Sequence, residues 1–271
     1  MRFYFLVFFL MLSCSPQKEN IISISAPGET GIIGGISVNS NDYPFYVQLL
    51  IQQKSTKIHF CGGTLIRPSW ILTAAHCLYD VKMEKLILSR ASQSIQGDGG
   101  ENLKIKKVFL HPEFDRATLK NDIALIYLEN SSQSNFIIPI LNSENDTAPS
   151  YLELVGWGYT SYPNTLPNSL QWLQKIQRAP TQDCQFHPEW QETHSIQLGM
   201  MCIYTDLDQK SNCIGDSGGP LFYRTAENQF VLVGVTSWGS ACRKIKKWNY
   251  AGFSDVSYYQ QWIRDTITPT H

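Results

Sequence analysis

The chain has 271 residues, with 22 Lys and Arg against 23 Asp and Glu and 43% hydrophobic residues. A balance this near neutral lacks the basic surface that nucleic-acid binding rests on, so nucleic acid is not an expected partner. A 12% aromatic content with 18 Gly and 13 Pro excludes collagen, coiled coil and wholesale disorder.

The chain opens with Arg2 and an unbroken apolar run from Phe3 to Leu12. As a helix that run spans about 15 Å, half the apolar core of a bilayer, which suits a signal peptide over residues 1–13 and not a membrane span. The protein is therefore expected to be exported. Met11-Leu12-Ser13-Cys14-Ser15 then resembles a bacterial lipobox. Two fates are open for Cys14: acylation, which would anchor the protein to a membrane, or plain cleavage nearby without lipid. Residues 14–31 read as a linker or propeptide rich in Ser, Pro and Gly.

Beyond residue 31, short β-branched and aromatic runs alternate with turn residues. Strands are expected at Val47–Ile51, Ile105–Leu110, Asp122–Leu128, Tyr151–Trp157 and Phe230–Trp238. Val256, Tyr259, Trp262, Ile263 and Ile267 recur at helical spacing and predict a terminal helix. The class is all-β with a C-terminal α-helix.

Three segments carry chemistry. His76 stands in Leu72-Thr73-Ala74-Ala75-His76-Cys77, and Asp122 opens the apolar run Asn121-Asp122-Ile123-Ala124-Leu125. Either alone is more often structural than catalytic. Gly215-Asp216-Ser217-Gly218-Gly219-Pro220 is far more specific. A Ser among three glycines suits a backbone that must approach a ligand closely with its N–H groups free. Together the three offer a nucleophile, a base and a group to orient the base.

With Ile32-Ile33-Gly34-Gly35, His59-Phe60-Cys61-Gly62-Gly63, Gly156-Trp157-Gly158 and Ser237-Trp238-Gly239, in this order, the chain resembles the chymotrypsin/trypsin-like serine proteases over residues 32–271. The resemblance implies two six-stranded antiparallel β-barrels with the active site between them. It implies Ser217 as nucleophile, His76 as general base and Asp122 as its orienting partner, with the N–H groups of Gly215 and Ser217 as the oxyanion hole. No cofactor is implied. Where the family's calcium loop would fall, Asp98 and Glu101 are the only acids, too few for a calcium shell, so no metal is expected. A catalytically silent binding module on the same fold is the alternative reading.

The resemblance also implies disulfides Cys61–Cys77, Cys184–Cys202 and Cys213–Cys242, which leaves Cys14 over. That parity fits lipidation, loss with the signal peptide, or an intermolecular bridge. Ser211 falls at the base of the specificity pocket, followed by Asn212, with Ser237, Trp238 and Gly239 along one wall. The second wall position is Ala251 or, one residue on, Gly252. A neutral base predicts cleavage after an uncharged residue, large and apolar or aromatic. Arg243-Lys244-Ile245-Lys246-Lys247 would lie near the pocket mouth, as a solvated loop or as a preference for acidic subsites. Family zymogens are cut before the Ile-Ile-Gly-Gly segment so that the new amino group, here that of Ile32, pairs with Asp216; His59 stands where family members stabilise the inactive form. Gly31 precedes Ile32, so an activating protease of a non-tryptic kind is expected. The expected partners are protein or peptide substrates and that protease. The expected state is a monomer, secreted or held at the cell envelope by a lipid on Cys14.

Overall fold

The computed structural model describes residues 32–132, 139–141, 148–160, 165–185, 196–205, 211–239 and 249–268. Strand β1 (Ile36–Val38) leads into β2 (Tyr46–Gln53), β3 (Thr56–Arg67), β4 (Trp70–Thr73), β5 (Leu86–Arg90), β6 (Glu101–Leu103), β7 (Ile105–Leu110) and β8 (Ala124–Leu128). All but β1 form one antiparallel sheet in the order β6-β5-β2-β3-β4-β8-β7. Strands β6 and β7 are separated only by Lys104, whose carbonyl accepts from Glu129 N–H, so the two halves carry the sheet round from β5 to β8. The hairpin β2–β3 turns through Lys54-Ser55, where Lys54 takes a left-handed φ of 52°, as tight hairpins require.

The second sheet contains β9 (Ile140–Leu141), β10 (Leu152–Gly156), β11 (Leu170–Ala179), β12 (Met200–Thr205), β13 (Pro220–Arg224), β14 (Phe230–Gly239) and β15 (Asn249–Asp255). Its path β11-β10-β13-β14-β15-β12 returns to β11 by direct pairing, so six strands close a barrel. β1 adds to β11, and β9 runs parallel to β14. Short helix α1 (Thr181–Gln185) precedes β12, and α2 (Gln260–Ile267) closes the described chain. The mostly β architecture of two barrel-like sheets is the expected one, with six strands closing the second barrel and the first a seven-stranded half-barrel rather than a closed six-stranded one.

The expected strands all appear, with ends shifted by up to two residues. One two-residue shift is at Asp122, which lies in a tight turn closed by Ile123 N–H to the Asn121 carbonyl before β8 begins at Ala124. The terminal helix begins at Gln260, so Val256 and Tyr259 of the apolar stripe precede it. Val256, Tyr259 and Ile263 nevertheless pack into the core of the first barrel, with Leu72, Ile123 and Leu125. The chain thus leaves the second barrel and straps itself across the first, tying together the two halves that supply the site.

Candidate active site

His76 sits in a single helical turn, Ala75–Cys77, that follows β4 directly. Its neighbour Cys77 is bonded to Cys61 of β3, which pins this turn to the sheet. Closing a loop of that length is worth about 3 kcal/mol to the fold. The imidazole Nδ1 lies 2.7 Å from Asp122 Oδ2, while the backbone N–H of His76 donates to Oδ1 at 2.8 Å. The Asp122 side chain is wholly buried. Ser237 Oγ donates to the same Oδ2 at 2.5 Å, and Ser254 Oγ donates to the Asp122 carbonyl at 2.6 Å. Burial disfavours a charged His76 ring, but the adjacent Asp122 carboxylate and its hydrogen bond outweigh that and raise the pKa above 6.5. A base so poised holds a proton more firmly than free histidine would.

The turn that carries Asp122 is fixed from outside. Asn121 takes a left-handed φ of 55°, and its side chain is used at both ends. Nδ2 donates to the Glu113 carbonyl at 2.9 Å, and Oδ1 accepts from the Tyr259 hydroxyl at 3.1 Å. Ser254, Asn121 and Tyr259 had no signal in the sequence as parts of a site. Each is an ordinary strand, turn or helix-end residue until the fold brings it beside Asp122.

Ser217 lies in the tight loop between the pocket base and β13. Its carbonyl accepts from Gly62 N–H at 2.7 Å, a direct link from the second barrel to the first. Glycine at 62 suits this approach, since a Cβ there would come within 2.7 Å of the Tyr46 hydroxyl and 3.1 Å of Gly219 Cα. Gly215 and Gly218 take φ of +100° and +77°, values an L side chain rarely adopts. Among the described residues the N–H groups of Gly215 and Ser217 meet no acceptor.

Asp216 points away from the cleft into a fully buried pocket. It accepts from Cys213 N–H at 2.7 Å and from Gly158 N–H at 2.9 Å. Burial raises its pKa to about 7 despite those two donors. Ile32 is fully buried in the second barrel's core, and Ile33 bridges to Ser211, whose N–H donates to the Ile33 carbonyl at 3.0 Å. Gly31 lies outside the described residues. His59 Nε2 lies 2.9 Å from the Gly215 carbonyl, and burial lowers the pKa of this ring to about 4.

Ser211 is buried and its Oγ donates to the Asn212 carbonyl at 2.8 Å. In the β14–β15 pairing, Trp238 stands opposite Gly252 and Gly239 opposite Ala251. Gly252 instead lies under the Trp238 ring, where a Cβ would come within 1.9 Å of Cε2. Cys184–Cys202 joins α1 to β12, and Cys213 is also disulfide-bonded, while Cys242 lies outside the described residues, as do Cys14 and Arg243–Lys247. Cys61, His76 and Cys77 are the group of potential metal ligands found together among the described residues. With both sulfurs in a disulfide, they make no metal site. Asp98 pairs with Lys57 and Glu101 with Arg90.

A protein-family model described as Trypsin matches residues 32–263. The chain belongs to the trypsin family. It is a serine endopeptidase, a hydrolase of peptide bonds. This trypsin-family chain is 30% identical to trypsin eta of Drosophila melanogaster over 250 residues, 90% of this chain and 91% of that one. It is 32% identical to a trypsin of Sarcophaga bullata over 240 residues, 87% and 88% of the two chains. It is also 32% identical to bovine (Bos taurus) coagulation factor XI over 243 residues, 87% of this chain but 37% of that longer one. The family match begins at Ile32, the first described residue.

Proposed function

We propose that the chain is an exported endopeptidase that works through Ser217, His76 and Asp122 and cleaves after an uncharged residue. His76 takes the Ser217 proton as the hydroxyl attacks the scissile carbonyl, then returns it to the leaving amine. Asp122 keeps the imidazole in the tautomer that leaves Nε2 free to act and stabilises the imidazolium. The observation that carries this reading is the buried Asp122 carboxylate held against both His76 Nδ1 and His76 N–H. The free N–H groups of Gly215 and Ser217 suit an oxyanion, an interaction typically worth about 3–4 kcal/mol per donor.

Ser211 at the pocket base offers a substrate cation no charge to pair with, and leaving one unpaired in a dry pocket costs several kcal/mol. That supports an uncharged P1 residue, the one whose carbonyl is attacked. A large apolar or aromatic side chain satisfies Ser211, Gly239 and Ala251 considered alone.

Activation on this reading is a cut after Gly31 by a protease that does not require Arg or Lys. The amino group of Ile32 would then reach Asp216 and compensate its buried charge. Residues 1–13 act as the signal peptide, 14–31 as linker or propeptide and 32–271 as the protease. The cut would also release the enzyme from any lipid on Cys14. Substrates are proteins or peptides, and the working unit is a monomer.

Labelling with a fluorophosphonate probe, beside a Ser217→Ala control, tests the reading. The expected result is one labelled band whose N-terminus is Ile32 and no label on the control. No labelling after limited proteolysis has exposed Ile32 would refute the proposed chemistry. A labelled band with a different N-terminus would refute the activation step.

A further inference from the structure

Ser211, Gly239 and Ala251 bring no charge of their own to the proposed pocket. Asn212 adds a polar requirement. Its residue is 5% exposed, and its Oδ1 is buried with no hydrogen-bond partner among the described residues. A buried amide oxygen is normally paired, and an unpaired one in a native fold calls for an explanation such as a ligand that supplies the donor.

The position of this amide says what that ligand is. Nδ2 and Oδ1 lie 3.2 and 3.3 Å from where a Cβ on Gly239 would stand. Gly239 pairs with Ala251 across β14 and β15, so the amide faces the wall that a P1 side chain must pass. Its backbone is held on both sides. Ser211 on one side is tied to Ile33 through its N–H and to the Asn212 carbonyl through Oγ. Cys213 on the other side is disulfide-bonded and donates its N–H to Asp216. The amide thus stems from a fixed stretch of backbone, and an apolar P1 side chain would bury it further without satisfying it.

We infer that Asn212 selects substrates with a carboxamide at P1, glutamine or asparagine, over their apolar isosteres. This rests on the endopeptidase reading above and departs from it in the kind of uncharged residue preferred. A carboxamide carries an N–H donor beside a carbonyl acceptor. It is thus the side chain that complements Asn212 whichever way either amide is turned. Sites built to hydrogen-bond a substrate group discriminate strongly against analogues that lack it, because the site's own polar group is then left unpaired.

The experiment uses the full chain activated by exposure of Ile32 and four peptides that differ only at P1: Gln, Met, Asn and Leu. Gln against Met and Asn against Leu are near-isosteric pairs of two lengths. Fluorophosphonate labelling fixes the active concentration of every preparation. The expected result is a kcat/KM at least about 10-fold higher for the amide in one or both pairs. In Asn212→Leu that preference should disappear or reverse while labelling persists; Asn212→Ala serves the same purpose if the larger variant does not fold. An apolar preference in both pairs, or an amide preference that survives both Asn212 variants, overturns the inference. Absence of labelling in the unmodified chain overturns the endopeptidase reading itself and the inference with it.

Discussion

The Asp216 carboxyl fills the space that a side chain at Gly156 would need: a Cβ there would lie 2.0 Å from Oδ1. Gly158 has the same neighbour, with a Cβ 2.5 Å from Cγ of Asp216. The Gly156-Trp157-Gly158 signature is thus a cavity for the residue next to Ser217, made by omitting two side chains. Gly156→Ala should drive Asp216 from its place and carry Ser217 and Gly215 with it, because all three share one tight loop. The expected outcome is loss of fluorophosphonate labelling by more than 100-fold, with a drop in stability of about 2–4 kcal/mol. Urea denaturation beside the labelling assay checks both.

Asp216 and His59 give the uncut chain opposing pH dependences. Burial lifts Asp216 from 3.8 to about 7, so between those values the folded state keeps a proton that the unfolded state has lost. Its contribution is fully present below about pH 4 and is lost as pH rises through 7. Burial drops His59 from 6.5 to about 4, so there the unfolded state holds the extra proton. That contribution is present above pH 6.5 and is lost as pH falls through 4. The two slopes oppose each other between about pH 4 and 6.5. Asp216→Asn should therefore expose the His59 slope, with stability rising steadily across that window. Denaturation midpoints of both proteins at several pH values check it, and a flat profile in the variant would contradict the assignment.

What the sequence made legible follows from where local chemistry is enough. The β14 run from Phe230 declares itself because its residues are buried on both faces. The glycines around Ser217 are legible because only glycine suits φ of +100° and +77°. β3, with a long half-exposed start at Thr56–Phe60, shows no clean alternation and was not among the expected strands. β12 and β15 were also absent; they pair with each other over a long stretch of chain, although β15 also pairs with β14 just before it. Within the site, His76, Asp122 and Ser217 were readable as motifs. Ser254 and Tyr259 were not, because their contacts span 132 and 138 residues of chain. The choice between Ala251 and Gly252 needed the β14–β15 register, which a single residue of slip would change.

Tyr259 and Asn121 should act on catalysis through Asp122. Removing the hydroxyl in Tyr259→Phe leaves Asn121 Oδ1 without its donor and loosens a turn that already holds a left-handed residue. The pull of Asp122 on His76 should weaken, and the His76 pKa should fall toward its ordinary value. Expected are a several-fold lower kcat, an unchanged KM and an acid limb of the kcat profile displaced to lower pH. A variant that loses thermal stability alone, with the acid limb in place, would make Tyr259 only a packing residue.

Ala251 and Gly252 are neighbours in sequence with opposite tolerance, because one faces Gly239 and the other lies beneath Trp238. A methyl group at position 252 would fall 1.9 Å from Trp238 Cε2 and 2.4 Å from both Nε1 and Cζ2. The indole is large and buried with little room to move, so Gly252→Ala should force it and β15 apart and cost more than about 3 kcal/mol, with loss of activity on every substrate. Ala251→Gly removes one methyl from the wall opposite Gly239 and should cost only about 1 kcal/mol, mostly backbone entropy in a strand. Its effect should instead appear in selectivity, as a rise of a few-fold in kcat/KM for bulkier P1 residues relative to shorter ones. Thermal melts and a P1 series on the two variants check the contrast. Equal destabilisation of both would mean that the register placing Ala251 opposite Gly239 is not the one that governs the pocket.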